Sequence, residues 1–187
     1  MPESVSLANT LLVAMPALDD PNFERTVTLL CQHDQEGAMG IVLNRPADFR
    51  LGELLDQLGI KGAGESLAAV PVLAGGPVQP ERGFVLHDDP RPWASTLRFG
   101  DGLAVTTSRD ILEAMVRGQG PVRALVALGY AGWGAGQLEQ ELAQNSWLTV
   151  PADHALLFAT PLEQRWQAAA RAVGVDMARM ADYAGHA

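Results

Sequence analysis

The sequence predicts an α+β fold. Three observations carry this. Apolar runs of strand length fill most of the first two thirds of the chain, two of them are joined by a tight turn, and regular helical stripes gather at the end. Strands joined by tight turns pair antiparallel, whereas an all-parallel sheet needs a long crossover between every pair. No internal repeat, low-complexity tract or linker interrupts the text, so residues 1–187 are expected to form a single domain.

Residues 8–15 read as the first strand and 26–33 as the second, where Val27, Leu29 and Cys31 alternate with Thr28, Leu30 and Gln32. Asp34-Gln35-Glu36-Gly37 is a turn signal, and the apolar return over 38–44 makes 26–44 a hairpin. Leu51, Leu54, Leu55 and Leu58 recur at i, i+3, i+4 and i+7, which predicts a short helix ended by Gly59. Strands are expected at 70–74, 82–87, 95–99 and 103–107, then a helix over 109–117 capped by Ser108 and closed by Gly118. Residues 122–128 read as a mostly buried strand. Thr160, Pro161 and Glu163 have the spacing of a capping box, and Leu162, Trp166, Ala169, Ala170 and Val173 form one stripe, stopped by Gly174. A last helix starts at Asp176, with Met177, Met180, Ala181 and Ala184 inward and Gly185 beyond.

Between the strand at 122–128 and the helical pair Leu138 and Leu142 lies Gly129-Tyr130-Ala131-Gly132-Trp133-Gly134-Ala135-Gly136. Four glycines at a strand-to-helix junction predict a turn, where positive φ or close approach of a ligand demands a residue without Cβ. Three readings stand: a structural turn holding Tyr130 and Trp133 on the core, a site for a neutral or cationic ligand, or a phosphate cradle. The spacing fits neither GxGxxG nor GxxxxGK[ST], and Glu139 and Glu141 would repel an anion at the helix start. Within the turn, Gly132 is expected to serve the backbone and Gly134, nearer the helix N-terminus, to let a ligand approach.

Composition narrows the classes. With 48% hydrophobic residues the chain can bury a sizeable core, yet no apolar stretch approaches the ~20 residues of a membrane span. Met1-Pro2-Glu3-Ser4 lacks the basic and apolar regions of a signal peptide, and one cysteine allows no internal disulfide, so a cytoplasmic location is expected. The net charge is −9, with a single lysine, Lys61, and scattered arginines. DNA binding rests on neutralising phosphates, so no direct nucleic-acid partner is expected.

Three further groups invite chemistry. In Asp20-Pro21-Asn22-Phe23 the first two residues suit the start of a single helical turn, with Phe23 packing back on the strands and Asn22 left for any function. Asn44-Arg45-Pro46 ends a strand, and Arg45 can fork onto a carboxylate or phosphate ligand or onto an acidic group of its own chain. Cys31 shares a face with Val27 and Leu29 and reads as core. His87-Asp88-Asp89 has no second histidine at ligand spacing, and no HExxH, CxxC, GxSxG or Walker pattern appears. No catalytic residue, metal site or cofactor is therefore assigned.

Taken together, Met15-Pro16, Asp20-Pro21-Asn22-Phe23, Gly37-Ala38-Met39-Gly40, Asn44-Arg45-Pro46, Gly75-Gly76-Pro77-Val78, Gly83-Phe84-Val85-Leu86-His87, the glycine run, Asn145-Ser146-Trp147 and Pro151-Ala152-Asp153 resemble in order and spacing the YqgE/AlgH family. The resemblance spans residues 8 to 158. It implies a bacterial cytosolic protein with a bifurcated, mostly antiparallel sheet curled into a pseudo-barrel flanked by helices. It also implies a family without an assigned reaction, whose members carry a transcriptional-regulator label from alginate genetics. The resulting expectation is a ligand-sensing or partner-binding module in a regulatory role, its partner a small molecule or a protein. Asn22, Asn44, Arg45, Gly129, Tyr130, Gly132, Trp133, Gly134 and Gly136 are expected to border one cleft. The alternative is a hydrolase or transferase acting on a phosphorylated or acyl substrate through His87 or Arg45.

Overall fold

The computed structural model describes residues 5–100 and 102–184. Ten strands, β1 (Thr10–Ala14), β2 (Val27–Asp34), β3 (Gly37–Val42), β4 (Pro46–Arg50), β5 (Pro71–Ala74), β6 (Val78–His87), β7 (Thr96–Phe99), β8 (Leu103–Thr106), β9 (Ala124–Gly134) and β10 (Trp147–Pro151), join in one sheet. Its main path runs β10-β1-β2-β3-β9-β6-β8-β7, and every pairing is antiparallel except β5 with β9. The expected hairpin is β2 and β3, with a register shift between Leu30 and Gln32 that bends the strand.

β9 is where the sheet divides. Its first half pairs with β6 on one side and β5 on the other, while residues 131–134 pair with β3. The β4–β5 branch and the β3-β2-β1-β10 branch therefore leave the same side of one strand. At the split the chain passes backbone to backbone: a Cβ on Gly75 would lie 2.4 Å from the Gly129 carbonyl oxygen, and one on Gly76 would lie 2.1 Å from the Tyr130 carbonyl carbon. Only glycine fits such a crossing.

Among the described residues seven α-helices flank the sheet: α1 (Leu51–Gln57), α2 (Glu65–Ala68), α3 (Arg109–Val116), α4 (Gln137–Ala143), α5 (His154–Phe158), α6 (Arg165–Arg171) and α7 (Met177–Ala184). The largest core cluster fills the curl with Leu11, Leu29, Cys31, Ile41, Phe84 and Leu86 and receives Trp166 and Ala169 from α6. A second lies under α1 and α3, and a third joins Leu12 and Leu30 to Trp133, Leu138 and Trp147. Both faces of β2 are thus buried over Val27–Cys31, Leu29 and Cys31 in one cluster and Leu30 in the other, because successive strand residues point to opposite faces.

Several local expectations change. The glycine run is not a turn: β9 continues through it, with Ala131 and Trp133 buried on one face and Gly132 and Gly134 exposed on the other. The turn proper is Ala135-Gly136, where Gly136 takes φ 73 as the N-cap of α4. Ser108 does not cap α3 with its side chain; its hydroxyl donates instead to Asp110 Oδ1 at 2.5 Å. The capping box at Thr160 does not form, because residues 162–164 make a 3₁₀ turn and the Thr160 carbonyl accepts from Arg165 Nε at 3.2 Å. Val173 and Met180, expected inward, are 41% and 38% exposed. Gly185 and the side chains of Ala181 and Ala184 lie outside the described residues.

Candidate functional site

A cleft of about 860 Å³ opens at one end of the curled sheet. Its floor is made of Met39, Phe84, Val105 and Tyr130 of the largest core cluster, where Phe84 and Val105 are buried and Met39 and Tyr130 are half-buried. One wall is the end of β2 and the β2–β3 turn with Gln32, Asp34 and Glu36; the other is residues 94–97, including the start of β7, with Ser95 and Leu97, while the Thr96 hydroxyl is held by Thr106 Oγ1 at 2.9 Å and the Trp93 carbonyl at 3.3 Å. Strand geometry sets this floor: Tyr130 and Gly132 are two residues apart on β9 and so share its open face, while Trp133 points into the core and contributes only its edge. Tyr130 packs edge to face on Phe84, 5.8 Å between centroids, and the Arg82 guanidinium lies 5.4 Å from the Phe84 ring centre. Asp34 Oδ1 accepts from Glu36 N–H at 2.8 Å, which fixes the acidic turn.

A second group surrounds the loop before β2. Asp20 Oδ1 accepts from Asn22 N–H, as an N-cap should, and Phe23 stacks 6.0 Å from Trp133 and meets Trp147 edge-on. Asn44 is spent on the main chain, accepting from Val27 N–H at 2.9 Å and donating to the Arg25 carbonyl at 2.8 Å. Arg45 donates to the carbonyls of Pro21, Asn22 and Glu24 at 2.8 to 2.9 Å. Its fork is engaged by backbone carbonyls rather than by an acidic side chain of its own chain.

A third group sits at the start of α4. Glu141 accepts from the indole N–H groups of Trp133 at 3.2 Å and Trp147 at 3.0 Å, and from Gln137 at 3.1 Å. Gly134 N–H donates to Gln137 Oε1 at 3.0 Å, so that amide is occupied. Glu139 pairs with His33 Nε2 at 2.6 Å, a hydrogen bond that holds its carboxyl below the usual range.

The nucleophile and base positions close. His87 is fully buried; its Nδ1 accepts from Asp89 N–H at 3.1 Å, so Nε2 carries the proton and donates to Thr106 Oγ1 at 2.8 Å. Burial lowers its pKa and keeps it neutral. With both nitrogens occupied, His87 has no access to a substrate, which contradicts the His87 enzyme route. Cys31 is 2% exposed and burial raises its thiol pKa, so it stays protonated core. Among the described residues no group of three or more His, Cys, Asp or Glu stands at metal-binding spacing, and no helix is long and apolar enough to cross a membrane.

The nine residues singled out from sequence do not gather in one cleft. Tyr130, Gly132 and Trp133 line it; Asn22, Asn44 and Arg45 cluster around the 20–24 loop, whose Phe23 stacks on Trp133; Gly129 lies at the sheet division and Gly134 and Gly136 at the helix start. Asp34, Glu36, Arg82, Phe84, Ser95 and Thr96 line the cleft and were not singled out. Only their convergence in space marks them, apart from the charged turn at 34–37.

The sequence profile described as AlgH-like matches residues 11–178. The chain is 62% identical over 181 residues to UPF0301 proteins of Xanthomonas campestris pv. campestris and Xanthomonas axonopodis pv. citri, covering 97% of this chain and 96% of each relative. It is similar to the solution structure of the AlgH protein from Pseudomonas aeruginosa, at 47% identity and a TM-score of 0.80 over 100% of both chains. A crystal structure of a Corynebacterium diphtheriae protein, 18% identical over 97% of this chain and 94% of that one, shares the fold with a TM-score of 0.75. The chain belongs to the AlgH-like, UPF0301 family.

Proposed function

We propose that this protein is a binding module whose cleft takes an organic ligand or a segment of a partner protein, and that it serves a regulatory role without contacting DNA. The cleft carries the reading. Its volume falls in the range of ligand sites, and its lining combines an apolar aromatic floor with a few converging polar groups. Tyr130 and Met39 offer half-buried apolar surface for a flat or aliphatic body, while Ser95, Arg82 and the Asp34–Glu36 turn offer donors and acceptors around it. The regulatory part rests on the family resemblance, and the net charge of −9 supports a target other than nucleic acid. A cytoplasmic setting belongs to the same reading, supported by the single, buried and unpaired Cys31.

A thermal-shift screen of amines, amino acids, nucleosides, acyl carboxylates and short peptides tests it. At least one class is expected to raise the melting temperature in a saturable way. Tight, sequence-specific retention of duplex DNA across a salt series, with no response to any class, would overturn it.

A further inference from the structure

We infer that the occupant of the cleft is an extended peptide segment that adds to the outer edge of β7 and carries a lysine or arginine toward the acidic β2–β3 turn. This rests on reading the cleft as a binding site, and goes beyond it by naming the occupant.

The edge is the first observation. β7 ends the sheet path, and among the described residues no strand follows it. Thr107 N–H donates to the Ser95 carbonyl at 2.9 Å, and the register pairs Leu97 with Val105 and Phe99 with Leu103. In an antiparallel ladder bonded and non-bonded pairs alternate, so residues 95, 97 and 99 bond to β8 while Thr96 and Arg98 turn their N–H and C=O groups outward.

Proteins usually blunt such an edge with a charged side chain. Here the charge is withdrawn: Arg98 folds back to donate to the carbonyls of Asp89, Pro90 and Arg91 at 2.8 to 3.2 Å. Leu97, 40% exposed, is left at the rim. The slot beside this edge is bounded at its lower end, where Gly100 lies so close to Asn9 that a Cβ would fall 2.2 Å from Asn9 Cγ. At its upper end it widens into the cleft, since residues 94–97 form the cleft wall.

A strand laid there hydrogen-bonds through its own backbone and sends alternate side chains onto the Met39–Tyr130 floor. Across the cleft stand the exposed carboxylates of Asp34 and Glu36. With the Arg82 guanidinium drawn over the Phe84 ring, these two carboxylates leave the charged lining net acidic, which a basic side chain on the peptide complements.

The test is a positional-scanning library of acetylated, amidated pentapeptides with one fixed lysine, titrated against the ¹⁵N-labelled full chain, alongside the small molecules of the thermal-shift screen. The tightest peptide is expected to move the amides of Thr96 and Arg98 together with Gly132. Its counterpart N-methylated at alternate peptide bonds, which keeps the side chains and removes the edge donors, is expected to lose at least tenfold in affinity. The D34N/E36Q variant, whose side-chain amide oxygen at position 34 can keep the turn bond, is expected to bind the lysine peptide roughly two- to fivefold more weakly, the scale of exposed ion pairs. Equal binding of the N-methylated peptide overturns edge pairing and leaves the cleft reading standing. Binding of small molecules but of no peptide does the same. Failure of both probes at the cleft overturns the inference and the reading together.

Discussion

Gly129 and Gly76 cross backbone to backbone where the sheet divides: a Cβ on Gly129 would lie 2.4 Å from the Gly76 carbonyl oxygen, at a φ of 78° that L side chains rarely adopt. Gly132 differs on both counts. Its φ is not in the left-handed region, and a Cβ there would meet only Tyr130 Cε2 at 3.6 Å and Val78 Cγ2 at 3.8 Å, ordinary contacts. G129A is therefore expected to destabilise the fold by about 2 kcal/mol or more, adding strain at positive φ to a clash with main chain. G132A is expected to lie within about 0.5 kcal/mol of wild type, because a strand glycine exchanged for alanine loses only backbone freedom in the unfolded chain. Urea unfolding of the two variants checks this, and reversed magnitudes would contradict the account of the crossing.

Arg45 is expected to act as a staple for the 20–24 loop. A guanidinium reaches three carbonyls at once, while an ammonium is a single point. R45M is expected to cost about 1–2 kcal/mol, discounted for partial exposure, and R45K to recover less than half of that. Limited proteolysis should open the chain between residues 20 and 25 in both variants. A wild-type cleavage pattern would remove the staple role.

The neutral, buried His87 makes stability depend on pH. Burial lowers its folded-state pKa below the unfolded value of about 6.5. The unfolded chain then takes up a proton that the folded chain refuses, so the stabilising contribution is complete above the unfolded pKa and is lost as pH falls toward the folded one. The slope from this group is expected to reach at most about 1.4 kcal/mol per pH unit. H87Q, with an amide that can replace both hydrogen bonds, is expected to flatten the profile between pH 7 and pH 5. Parallel pH profiles for the two proteins would mean that His87 takes up its proton equally in the folded and unfolded chains, which contradicts this account.

The elements built from local pattern were legible in the sequence. The Val27-Leu29-Cys31 alternation, the buried Leu51, Leu54 and Leu55 of α1 and Gly59 at φ 71 appear as expected, whereas Leu58 falls at the C-cap and is exposed. The glycine run misled because glycine marks both turns and close strand crossings. The alternation of buried Ala131 and Trp133 with Gly132 and Gly134 was the available sign that β9 continues. β4, α2, β10 and α5 were not expected, although α5 carried a local signal in Asp153, whose Oδ1 accepts from Leu156 N–H at 3.1 Å. The cleft itself had no such signal. Its residues come from five separate stretches that meet only when the sheet curls, and the polar groups that looked most functional, Asn44 and Arg45, are consumed in holding the main chain.

The cleft as a binding site is tested most directly by filling it. G132L places a side chain on the open face of β9 beside Tyr130 without demanding a positive φ, so the variant is expected to fold with a melting temperature near wild type. Calorimetric titration of both proteins with the compound or peptide that best stabilises wild type then decides. The expected result is binding to wild type and at least a tenfold loss in G132L; undiminished binding to a folded G132L would contradict the assignment of the cleft.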